Sequence, residues 1–226
     1  MKRMHGIGLV AVAALLVTVV YVSAAFGFSE WLIAGGGNPA GIQITGTGGA
    51  TRFESAGKNI IGCEKSESTE EFKGFKEASA LVKYKGNCKI SGVLNGACTE
   101  PIETEVLIAL PGTIAGAASG RGLLFLPASG TVMAKPTCVG VKITVEGGLV
   151  CESEPVKKLS LNVKVICREK LNAKGEEEPG IQQFTTIEVG GKNETDELIA
   201  NAIFTKEKDA QVTTETLTFS KEVEQS

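Results

Sequence analysis

The stretch Leu159-Ser160-Leu161-Asn162-Val163-Lys164-Val165-Ile166-Cys167 decides the fold class. Leu159, Leu161, Val163, Val165 and Cys167 alternate with Ser160, Asn162 and Lys164, and a period of two sends every second side chain to the same face. One face is apolar and the other polar, the signature of an antiparallel strand lying between a core and water. The inward parity includes Cys167, which predicts a buried, bridged cysteine.

The pattern recurs on both sides. Val139, Val141, Ile143 and Val145 alternate with Gly140, Lys142 and Thr144, and Glu146-Gly147-Gly148 beyond them predicts a hairpin turn. Upstream, Val82, Tyr84, Cys88 and Ile90 share a face opposite Lys83, Lys85, Asn87 and Lys89. Residues 101–110 place Ile102, Val106, Ile108 and Leu110 on one parity, Glu103 and Glu105 on the other. Shorter segments at 41–45, 51–54, 59–64, 123–126, 130–134, 184–189, 198–205 and 212–219 bring the total to about a dozen strands. The polar run 66–71 reads as a surface loop. Gly46-Thr47-Gly48-Gly49 reads as a turn and not a phosphate loop, because a strand-like segment follows it where a helix would be needed. Residues 170–180, with Glu176-Glu177-Glu178-Pro179, read as a charged loop without calcium-loop spacing. With 28 glycines and no amphipathic helix, the chain is predicted to be all-β, an antiparallel β-sandwich or barrel-like fold.

The first residues set the compartment. Lys2 and Arg3 precede an apolar run over 7–22, and small residues follow at Ser23, Ala24 and Ala25. This is signal-peptide architecture, with cleavage expected after Ala24. Residues 1–24 are therefore assigned to the signal peptide, 25–40 to a flexible N-terminal segment containing Trp31 and Gly35-Gly36-Gly37, and 41–226 to an all-β domain. The glycine-rich stretch 112–122 is the one seam the sequence offers. Secretion is the expected outcome, to the extracellular space or cell envelope.

Loss of the leader removes Lys2, Arg3 and the single histidine, His5, leaving 21 basic against 26 acidic residues, a formal charge of −5. A mildly acidic surface disfavours nucleic acid and anionic lipid, which need clustered Lys and Arg. Cys63, Cys88, Cys98, Cys138, Cys151 and Cys167 all follow the leader, and an even count in an exported chain predicts disulfides. The expected pairs are Cys88 with Cys98 across a tight glycine loop, Cys151 with Cys167 across the Pro155 turn, and Cys63 with Cys138 over a long range.

Without histidine, Ser-His-Asp and Cys-His catalysis and His-ligated metals cannot be assembled. No catalytic residue, metal site or cofactor is assigned. The surviving enzyme class is a hydrolase using paired carboxylates. Glu103 and Glu105, about 7 Å apart by strand rise, are its candidates, against the simpler reading of a solvated strand face. Such a site also wants aromatic rings for sugars, and only Trp31 and Tyr84 offer polar-edged rings after the leader.

Several motifs together resemble a known family. They are Phe28-Ser29-Glu30-Trp31, Tyr84-Lys85-Gly86-Asn87-Cys88, Cys98-Thr99, Pro101-Ile102-Glu103-Thr104, Pro127-Ala128-Ser129-Gly130-Thr131-Val132, Cys138-Val139-Gly140-Val141-Lys142 and Thr216-Leu217-Thr218-Phe219. The chain is similar to an uncharacterised family of exported, β-rich proteins that soil actinobacteria carry in many copies. The resemblance implies export and a β-rich fold and brings no activity; Cys151 and Cys167 stand outside its pattern. The expected function is that of a non-enzymatic extracellular protein acting by binding, to a protein or glycan, or by self-assembly, with no membrane contact after signal cleavage.

Overall fold

Eight strands form a closed ring in which each is hydrogen-bonded to the next in chain order. They are β1 (Gln43–Gly48), β2 (Lys65–Gly74), β3 (Glu77–Lys85), β4 (Leu107–Thr113), β5 (Arg121–Pro127), β6 (Leu149–Glu154), β7 (Ser160–Cys167) and β8 (Thr205–Gln225). Every pairing is antiparallel, and the register from Ile44↔Phe219 to Gly48↔Glu215 closes β8 onto β1. The computed structural model describes residues 29–202 and 205–226. The signal peptide and its cleavage after Ala24 lie outside the described residues.

Closure removes sheet edges, the usual liability of β proteins. The outward faces of the barrel carry Glu67, Thr69, Glu71, Lys83, Asn162 and Lys164, while Ile44, Phe72, Leu107, Leu123, Val163, Val165 and Leu217 are buried in its core. That polarity is the reverse of a lipid-facing barrel. No helix among the described residues is long and apolar enough to cross a membrane.

In an up-and-down ring, alternate connections fall at the same end. The connections β1–β2, β3–β4, β5–β6 and β7–β8 share one end, and all four are long. Their short strands build a second sheet on the first half of β8. Thr51–Ser55 pairs with it from Val212↔Arg52 to Asp209↔Ser55, and Leu198–Ala202 pairs along its other edge. Beyond these lie Ile60–Cys63, Lys89–Ser91 and Gly96–Ala97 on one side and Val141–Glu146 on the other. The far ends meet where Thr99 N–H donates to Thr137 O (2.8 Å) and Val139 N–H to Ala97 O (3.0 Å). Thus β8 is a spine common to both sheets.

The opposite end is plugged by residues 29–33 and the end of β8. Trp31–Ile33 pairs with Val223–Gln225, and the Trp31 ring lies 5.2 Å from Phe72 and 5.9 Å from Phe219 between centroids. The buried Gln225 amide donates to Ser29 Oγ (3.0 Å) and Gly122 O (2.9 Å). The 25–40 segment, expected to be flexible, therefore includes a strand that docks on its own barrel.

Several other expectations are corrected. Residues 66–71 are not a loop but the centre of β2, and Gly46 to Gly48 are strand and not turn. Glu146-Gly147-Gly148 does not join a hairpin: Val141–Glu146 pairs with Leu198–Ala202, whereas β6 pairs with β5 and β7. Residues 112–122 are no seam, because they form the closed end of the β4–β5 hairpin, whose ladder runs from Leu107↔Pro127 to Thr113↔Arg121. In β4 the inward residues are Leu107 and Ala109, leaving Ile108 and Leu110 outside. Leu110 is half-covered there by the hairpin Thr186–Val189/Lys192–Thr195, whose Ile187 packs with Ile114, Leu124 and Val150. A register shift between Ser160 and Asn162 turns Leu161 out to solvent, while Val163, Val165 and Cys167 point inward.

All six cysteines are bridged. Cys151 is joined to Cys167 on neighbouring strands β6 and β7. The other two bridges are Cys63–Cys88 and Cys98–Cys138, in place of the expected Cys88–Cys98 and Cys63–Cys138. The reason is ladder geometry. Glu64 N–H donates to Gly86 O (2.9 Å), which sets Cys63 beside Cys88, and Cys98 stands opposite Cys138 in a β-bridge.

Candidate functional site

The chemistry of the barrel is concentrated on β2, β3 and β8. Strand alternation sends Ser66, Ser68, Glu70 and Phe72 inward from β2, Tyr84 from β3, and Gln211, Thr213 and Glu215 from β8, and all of them are buried. The strand that separates β2 from β8 is β1, whose inward positions there are Gly46 and Gly48. A Cβ at Gly46 would come within 2.0 Å of Ser68 Oγ and 2.3 Å of Glu215 Oε1, and one at Gly48 within 2.2 Å of Ser66 Oγ. The missing side chains of β1 are the space that these polar groups occupy.

Part of the cluster is internally bonded. Ser68 Oγ donates to Glu70 Oε1 (3.3 Å), Gln211 Nε2 donates to Tyr84 Oη (3.1 Å), and the Thr51 and Thr213 hydroxyls pair at 2.8 Å. Glu215 Oε1 and Ser66 Oγ are buried without a hydrogen-bond partner. Glu70, Tyr84, Gln211, Thr213 and Glu215 line a cavity of about 30 Å³, whose other wall is apolar and includes Phe125 and Leu149. That is room for one or two water-sized occupants and excludes an organic ligand.

Electrostatics follow from burial. The buried residues that are polar or charged are Ser, Thr, Asp, Glu and Gln, with no Lys, Arg or His among the described residues. Burial, and then the neighbouring Glu215, push the Glu70 carboxyl up to about 8. Glu215 is raised by burial against the opposing effect of the Ser68 hydroxyl. Burial and Glu215 also raise Tyr84. A carboxyl without a counter-charge in a low-dielectric interior keeps its proton.

A second cluster pins the hairpin Glu169–Leu171/Glu177–Gln182 to the second sheet. Arg52 bridges Glu169 (2.8 Å), Glu54 (3.2 Å) and Glu177. Gln182 Oε1 accepts from the Gln211 N–H (3.2 Å), on the edge of β8 between its partners β7 and Leu198–Ala202. Residues 170–180 are thus a fastened hairpin whose tip alone is loop. Beside it Asp209 is pushed up to about 7, chiefly by burial.

The outer sheet carries an open groove of about 510 Å³ lined by Arg52, Ile60, Gly62, Glu64, Lys89 and Val212, among others. Glu103 and Glu105 line neither the groove nor the cavity. Glu103 is ion-paired with Lys83 (2.8 Å) and Glu105 with Lys135 (2.9 Å). The interior carboxyls escape a reading of the sequence because β2 is polar on both faces. The available signal was the spacing of Ser66, Ser68, Glu70 and Phe72 itself.

Fold and site define a class: a disulfide-braced, closed up-and-down antiparallel barrel with a carboxyl-bearing polar cluster inside it. No protein-family model, no curated protein and no solved structure matches this chain.

Proposed function

We propose that this is a secreted, non-enzymatic binding protein, and that the groove of the outer sheet takes a segment of an extracellular protein. The observation that carries the reading is the groove: its volume of about 510 Å³ lies in the range of binding clefts, roughly 300–1,000 Å³. Ile60 and Val212 supply apolar lining, Gly62 adds no side chain to it, and Arg52, Glu64 and Lys89 bring both signs of charge. Among the described residues no aromatic ring lines it, which favours a peptide over a sugar, since sugars stack on rings. Three disulfides suit an oxidising compartment, in keeping with the leader.

The test is a screen of the purified protein against peptide and glycan arrays, repeated with Gly62→Tyr. A Cβ at Gly62 meets nothing closer than Thr51 O at 4.0 Å, so this variant fills the groove while the fold is kept. Peptide binding lost in Gly62→Tyr supports the reading. Binding confined to glycans, or binding untouched by the substitution, overturns it.

A further inference from the structure

We propose that the polar side of the barrel interior is a binding site for a hard divalent cation of the calcium type, held by Glu70 and Glu215 with the hydroxyls around them. Four observations meet at one place. The two carboxyls are buried with no basic residue, among the described residues, in the interior to neutralise them. Glu215 Oε1, on a residue only 9 % exposed, and Ser66 Oγ, on one 2 % exposed, have no hydrogen-bond partner, a costly arrangement for a dry interior. Gly46 and Gly48 clear the wall in front of these same atoms. The adjoining cavity of about 30 Å³ is of a size for an ion and a water and not for an organic molecule.

The donor set selects the ion. Glu70, Glu215, Ser66, Ser68, Thr213 and Tyr84 offer oxygen only. Zinc and other softer metals prefer nitrogen and sulfur, and every cysteine here is bridged. Two carboxylates balance two positive charges, and a site of hydroxyls and carboxylates with irregular spacing suits the flexible coordination of calcium better than the strict octahedron of magnesium. The competitor is the proton. Around the site, β2 contributes Ser66, Ser68 and Glu70, β3 contributes Tyr84, and β8 contributes Gln211, Thr213 and Glu215; β1 contributes glycines, and the Cys151–Cys167 bridge of β6 and β7 does not titrate. Binding must therefore displace the carboxyl protons, so affinity rises with pH.

The full exported chain, freed of metal by a chelator, provides the test. Tyr84 is the only tyrosine after the leader, and with Trp31, in the barrel core, it can sensitise terbium placed in the barrel. Terbium emission excited through the aromatic rings is expected at pH 8.5, displaced by CaCl2, weakened at least tenfold at pH 5, abolished in Glu215→Gln and reduced in Tyr84→Phe. A rise of the thermal midpoint with CaCl2 in the wild type, absent in Glu70→Gln, is the companion result. Should either glutamine variant misfold, Ser66→Ala keeps the carboxyls and is expected to weaken binding without abolishing it. Absence of sensitised emission, emission unchanged in Glu215→Gln, or an equal calcium effect in all variants overturns the proposal.

Discussion

A Cβ carbon on Gly46 would lie 2.3 Å from Glu215 Oε1. The glycine and the carboxyl sit on paired strands, β1 and β8, and one has no side chain because the other's end occupies its place. Gly46→Ala should therefore force Ser68 and Glu215 off their positions, at a cost of about 1–3 kcal/mol, the usual range for overpacking a core. Gly49→Ala, where nothing lies within 4 Å of the new carbon, is the control and should change stability little. Urea unfolding of both variants measures the difference.

Stability should fall as pH rises. Glu70 moves from an ordinary 4.5 to about 8 in the folded chain, and Asp209 from 3.8 to about 7. Between those limits the folded protein binds protons that the unfolded chain has released. Unfolding free energy then decreases with pH. These contributions are complete below about pH 4 and gone above about pH 8, a change on the order of a few kcal/mol. Thermal midpoints in chelator from pH 4.5 to 8.5 should decline, and Glu70→Gln should flatten the decline. An unchanged slope in that variant would remove Glu70 as its source.

Loss of the Cys151–Cys167 bridge tests how far the barrel depends on its covalent brace. The two cysteines are separated by 16 residues, for which the chain-entropy estimate is about 3 kcal/mol. The double substitution Cys151→Ala with Cys167→Ala should lose that much in urea and still fold, since β6 and β7 remain hydrogen-bonded from Glu152↔Ile166 to Glu154↔Lys164.

Trp31 seals the end of the barrel at 2 % exposure. As the one tryptophan of the chain, it should report folding by a blue-shifted emission that moves to the red on unfolding. Trp31→Ala should cost about 3–5 kcal/mol, the range for deleting a buried aromatic. Proteolysis of the freed N-terminal segment at native conditions checks the same point.

Alternation is a local property, and what depends on it is legible in the residues alone: an all-β chain, antiparallel strands, an even set of cysteines fit for bridging, and the inward parity of Val163, Val165 and Cys167. Ring closure is not local. Ile44 meets Phe219 only because the strands between them turn the sheet back on itself, and no short window contains that information. Tertiary structure also decided which face is inside. In β6, residues 149–153 are all buried, because the barrel core covers one face and the hairpin of Ile187 the other, so parity there says nothing. In β2 both faces are polar, and only the glycines of β1 opposite them make Ser66, Ser68 and Glu70 interior groups. Cysteine pairing was likewise not legible: Cys88 and Cys98 are near in sequence and joined by a backbone hydrogen bond (2.9 Å), yet Cys88 is bridged to Cys63 and Cys98 to Cys138.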